Sequence, residues 1–76
     1  MRAVVEVVVR ALVDRPGEVS VSETERRGMT VLELSTAQGD MGKIIGRQGR
    51  TAAALRTLVA LAAEKAGTRA QLDIRD

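Results

Sequence analysis

Gly46 and Gly49 stand three residues apart, between the apolar pair Ile44-Ile45 and an alanine-rich run that reaches Ala66. Two glycines so close together make a tight turn and let backbone approach a ligand. The chain is therefore built around a helix–turn–helix corner. The second helix, from about Gly49, offers free N–H groups and a partial positive charge at its start. Such an end suits an anion, for example a phosphate. Lys43, Arg47, Arg50 and Arg56 lie on or beside the turn. Between Met41 and Ala63 there are four basic residues and no acidic one, the nearest acids being Asp40 and Glu64.

Other glycine motifs do not fit. A Walker A loop needs glycine five before Gly42-Lys43 and a hydroxyl residue after the lysine; Ala37 and Ile44 stand there. Gly39, Gly42 and Gly46 lack the dinucleotide G-x-G-x-x-G spacing. Gly42 and Gly46 form a GxxxG, but the segment is charged and too short to span a membrane. A plain helix corner with solvated basic groups explains one glycine as a cap. It does not easily explain two in one loop without an acid nearby.

Composition narrows the options. With 76 residues the chain reads as one domain, 1–76. It buries about 60% of its unfolded surface. There is no Phe, Tyr or Trp, so the core is aliphatic and no aromatic platform for stacking bases is possible. Cysteine and histidine are absent, which excludes disulfides, Cys/His zinc sites, cysteine nucleophiles and a Ser-His-Asp triad. No catalytic, metal or cofactor site is expected. Serines and carboxylates occur in no recognisable constellation, and Glu23 and Glu25 read as solvated. No apolar run reaches transmembrane length, and Glu6 and Arg10 argue against a signal peptide. The cytoplasm is the expected compartment. Net charge is only +2, so the local placement of charge carries more weight than the total.

Along the chain, residues 1–15 carry two signals. Val4, Val8, Ala11 and Leu12 fall at helical spacing with Val5 alongside, and Glu6 and Arg10 form an i,i+4 pair. Against that, Val7-Val8-Val9 favours strand. Asp14-Arg15-Pro16-Gly17 ends the segment. Residues 18–26 read as a strand from the alternation of Val19 and Val21 with serines. Arg27-Gly28 is a turn, and Met29 to Thr36 a second strand with Leu32 and Leu34 on one face. Asp40 is the expected N-cap of a short helix, Met41 to Ile45. The long helix runs from about Gly49 to Ala66 and stops at Gly67. Its stripe Ala52, Leu55, Val59, Ala62 and Ala66 should face the sheet. Ala54, Leu58 and Leu61 form a second apolar strip to one side. Thr68 to Arg75 alternates as a last strand.

The string Gly42-Lys43-Ile44-Ile45-Gly46-Arg47-Gln48-Gly49-Arg50-Thr51 resembles the signature of the KH domain, with Gly46 to Gly49 as its GXXG loop. The likeness extends over nearly the whole chain and is strongest to small stand-alone bacterial KH proteins. It implies a helix at the N-terminus, and an α+β fold of order α-β-β-α-α-β with a three-stranded mixed sheet and helices on one face. This is the type II arrangement; type I would add its extra elements after Asp76.

The resemblance further implies a non-enzymatic single-stranded RNA binder whose groove holds about four nucleotides. Carried onto this chain, the site is Lys43, Ile44, Ile45, Gly46, Arg47, Gln48, Gly49 and Arg50. The N–H groups of Arg47, Gln48 and Gly49 would face phosphates, with charge from Lys43, Arg47 and Arg50. Ile44, Ile45 and Leu55 would help wall the groove, with Leu32 or Leu34 at its far side, although each aliphatic also reads as core. Arg56 reads equally as a solvated residue. The strip Ala54, Leu58 and Leu61 packs under another element or meets a partner. The resemblance implies a partner: a second copy, or a larger KH protein of the KhpB (Jag/EloR) type. A role as an RNA chaperone or post-transcriptional regulator is implied in the same way.

Overall fold

The structure is a computed structural model describing residues 1–75. Helix α1 spans Arg2–Leu12, strand β1 Ser20–Arg26, strand β2 Met29–Ser35, helix α2 Met41–Ile45, helix α3 Arg50–Lys65 and strand β3 Arg69–Arg75. The sheet order is β1-β2-β3, with β1 antiparallel and β3 parallel to β2. This is the α+β order and mixed sheet expected from the sequence.

Helix α1 forms despite its valines. Each β-branched residue costs a few tenths of a kcal/mol in a helix, whereas burying a valine returns about 1.5 kcal/mol or more. Val5 and Val9, four apart, are fully buried in the core. Arg2 and Arg10 flank them, each paired to Glu6 at 3.2 Å. The stripe differs in phase from the expected one: Val4, Ala11 and Leu12 are exposed and Val8 only half-buried. With valine at 4, 5, 7, 8 and 9 the sequence offers overlapping stripes, and the seat of the helix on the sheet selects one.

Strand β1 starts later than expected because Pro16–Glu18 forms a 3-10 turn. A two-residue hairpin joins β1 to β2. Arg26 pairs with Met29, and Arg27 (φ 53°) and Gly28 (φ 78°) both have positive φ. Positive φ at both central residues is the signature of a type I′ turn, whose twist matches the flanking strands.

One face of the sheet carries Leu32, Leu34 and Leu72. All three helices cover that face, contributing Val5 and Val9, Ile44, and Leu55 and Val59. The other face is polar and open. The stripe of α3 is Ala52, Leu55, Val59 and Ala63; Ala66 is exposed and Ala62 only half-buried. Positions 62 and 63 are both alanine, so nothing local distinguishes them, and the roll of α3 on the sheet decides. Among the described residues no helix is long and apolar enough to cross a membrane.

Candidate nucleic-acid interface at the glycine turn

Helix α2 has five residues, too few to be stable alone. Two anchors hold it. Ile44 is 0% exposed and locks its inner face into the core. Asp40, buried just before it, accepts hydrogen bonds from the backbone N–H groups of Asp14 (3.3 Å) and Arg15 (3.0 Å). Asp40 thus holds the expected N-cap position of α2 without capping it through its side chain. A hydrogen bond of this kind contributes about 0.5–1.5 kcal/mol, and the pair ties the start of α2 to the segment after α1. Lys43 reinforces the tie through an ion pair with Asp14.

After Ile45 the chain turns sharply. Gly46 has φ 73° and ψ 175°, a region essentially reserved for glycine. Its N–H donates to Gly42 O at 2.9 Å, closing α2. A Cβ on Gly46 would lie 2.3 Å from Thr51 Oγ1, 2.7 Å from Thr51 Cβ and 3.0 Å from Thr51 N. The first glycine therefore permits both the turn and the close approach of α3. Gly49 is left-handed (φ 73°, ψ 13°) but has open space around its Cα. Gln48 between them is also left-handed, at φ 57° and ψ 27°. Its side-chain Oε1 accepts a hydrogen bond from Arg50 Nη2 at 2.9 Å, which braces the loop from outside.

The turn brings together Arg47, Gln48, Arg50 and the start of α3, all exposed to solvent or lying beside it. Helix α3 has no side-chain cap and no acidic residue in its first turn, so its positive end is uncompensated. Among the described residues, Arg47, Arg50 and Arg56 have no carboxylate partner. The arrangement can hold an anionic backbone by two guanidinium groups, loop amides and a helix end.

Several expected members sit differently. Ile44 is core, and so are Leu32, Leu34 and Leu55; burial removes these side chains from any surface wall. Ile45 is 39% exposed and is the apolar residue left beside the loop. The Gly49 N–H donates to Gly46 O at 3.2 Å, so Arg47 and Gln48 supply the loop amides that remain. Lys43, bound to Asp14, is not a free cation. The hydrogen bonds Asp40 accepts are not legible in the sequence, because their donors lie 25 and 26 residues away. A concavity of about 560 Å³ lies at the β2–α2 connection among Thr36, Ala37, Gln38 and Met41. Among the described residues its lining has no charged side chain to meet a phosphate.

On helix α3, Ala54 and Leu61 of the second strip are exposed, Leu61 at 59%, and Leu58 is half-buried. This strip lies outside the core.

The chain matches the family described as KhpA/KhpB, KH domain, over residues 2–74. It is 50% identical over 76 residues to the RNA-binding protein KhpA of Halalkalibacterium halodurans, spanning the full length of both chains. It is 49% identical over 69 residues to the RNA-binding protein KhpA of Treponema pallidum, covering 91% of this chain and 86% of the relative. With the protein of that name from Borreliella burgdorferi the identity is 47% over 72 residues, 95% of this chain and 88% of the relative. No solved structure matches the chain significantly.

Proposed function

Because the chain belongs to the KhpA/KhpB family of KH domains, we propose that it binds single-stranded RNA at the Gly46–Gly49 turn, without catalysis. The observation that carries this reading is the turn itself. Two glycines and the left-handed Gln48 hold Arg47 and the loop amides at the positive end of α3. Gly46, Arg47, Gln48, Gly49 and Arg50 form the contact, with Ile45 as its apolar flank. Lys43 acts mainly by holding α2 in place. A strand of RNA can follow this narrow turn with its bases splayed, whereas in a duplex the bases are paired and stacked and cannot turn toward a groove beside the loop.

The expected titration is salt-dependent. Arg47, Arg50 and, for a strand that reaches it, Arg56 give two or three phosphate contacts. At about −0.7 per contact for single strands, log K against log[salt] should slope by about −1.4 to −2. A flat profile, or duplex RNA binding as tightly as single-stranded RNA, contradicts the reading.

A shallow site of this size binds weakly, and a second unit raises affinity by avidity. The exposed strip supports such an assembly. Leu61, left in water, forgoes about 1.5–3 kcal/mol that a contact could return by burying it, and the half-buried Leu58 forgoes part of that. A twofold helix–helix contact through Ala54, Leu58 and Leu61 buries them on both subunits; a larger KH protein of the KhpB type is the alternative partner. Leu61→Asp should give a folded monomer by analytical ultracentrifugation, with RNA affinity reduced only through lost avidity. A wild type that is itself monomeric at high concentration, with no KH partner recovered from cells, removes this part of the proposal. We place the protein's work in the cytoplasm, as a small RNA chaperone or post-transcriptional regulator.

A further inference from the structure

We propose a second RNA-backbone contact, at the end of the sheet remote from the glycine turn, formed by Arg26, Arg27 and Arg69. The strand register carries it. Arg26 pairs with Met29 across the hairpin, and Met29 pairs with Arg69 of β3. Thr30, Leu32 and Leu34 point into the core, so Met29 and its two partners lie on the open face. The two guanidinium-bearing positions thus flank Met29, about 10 Å apart from one another at the usual strand spacing. Arg27 stands next to them in the hairpin. All three arginines are exposed, and among the described residues none has a carboxylate partner.

A path leads there from the turn. Helix α3 has 16 residues, about 24 Å of length. Its last turn lies beside the start of β3, where Thr68 N–H bonds Ala63 O at 2.9 Å. A cleft of about 310 Å³ is lined by Arg56 from the helix, by Met29 of β2 and by Arg69, Ala70, Gln71 and Leu72 of β3. The cleft joins the arginine row to the helix that starts at the turn. The open sheet face is the poorer route, because the register sets Glu33 beside Asp73 across it and Arg75 there is already paired to Glu33. Arginine suits phosphate oxygens through its planar fork of donors, and the Met29 thioether gives a base an apolar, polarisable surface. The chemistry is that of single-stranded RNA longer than the four nucleotides a KH loop clamps.

This inference rests on the turn being the primary RNA site, and the test separates the two. The variant Arg26→Gln/Arg27→Asn/Arg69→Gln removes the charge while Asn accommodates positive φ in the hairpin. Its affinity is compared with wild type on a uridine tetranucleotide and on a uridine oligomer about four times longer. The long oligomer should bind about tenfold more weakly, with a salt slope shallower by about 2 for three lost contacts. The tetranucleotide should be unaffected. Unchanged affinity and slope on the long oligomer overturn the proposal, and leave the row to an acidic protein segment. Normal binding of both oligomers by a variant altered at the turn instead overturns the primary reading.

Discussion

Replacing Arg47 and Gln48 together by aspartate should abolish RNA binding and leave the fold intact. Both side chains project from the turn into solvent and neither enters the core. The exchange removes one positive charge and adds two negative ones, taking the net charge from +2 to −1. Asp tolerates the left-handed conformation that Gln48 adopts. It also stands beside Arg50, and so neutralises the guanidinium that Gln48 now braces. Losing charge-assisted contacts and adding repulsion should cost about 3 kcal/mol or more, roughly a hundredfold in affinity. Surface changes of this kind move stability by about 0.5 kcal/mol. Circular dichroism and a gel-shift titration on the same preparation check both halves. A folded variant with wild-type affinity sinks the assignment of the turn.

The second large effect separates the two glycines. Gly46→Ala meets two obstacles at once. Its φ and ψ lie where other residues are strained by about 1–3 kcal/mol, and the new methyl would press on Thr51 Cβ and on its backbone nitrogen. A rotating hydroxyl relieves the contact with Oγ1, but the backbone of α3 cannot yield without moving the helix. Gly49→Ala meets only left-handed strain, about 1–2 kcal/mol, in open space. Gly46→Ala should therefore lower the melting temperature more and lose RNA affinity as the loop is rebuilt. Gly49→Ala should keep most of its affinity. Equal behaviour of the two would contradict the packing of the turn against α3.

Much of this was legible in the sequence because it is local. The glycine spacing, the alternation of Leu32 with Leu34, and the alternation of Ala70, Leu72 and Ile74 each fix a conformation within a few residues. The strip Ala54, Leu58, Leu61 is recognisable for the same reason, although the sequence leaves open whether it packs under another element or meets a partner. What escaped depends on distant parts of the chain. Ile44 and Ile45 are identical side chains, and only the seat of α2 decides that the first is core and the second surface. Lys43 looks free until Asp14, 29 residues earlier, is brought to it. Asp40 sits where a cap would, yet its carboxylate serves the segment after α1. The valine-rich α1 and the alanines at 62 and 63 offer several stripes, and tertiary packing chooses among them. Arg26 and Arg69 become neighbours only through the strand register.

The central claim, that RNA is held at the glycine turn, is tested most directly by mapping backbone amide shifts during titration with a short single-stranded RNA. The expected result is that the largest changes fall on Arg47, Gln48, Arg50 and the first turn of α3, with smaller ones at Ile45. Shifts confined to other surfaces, with these amides unmoved at saturation, would contradict it.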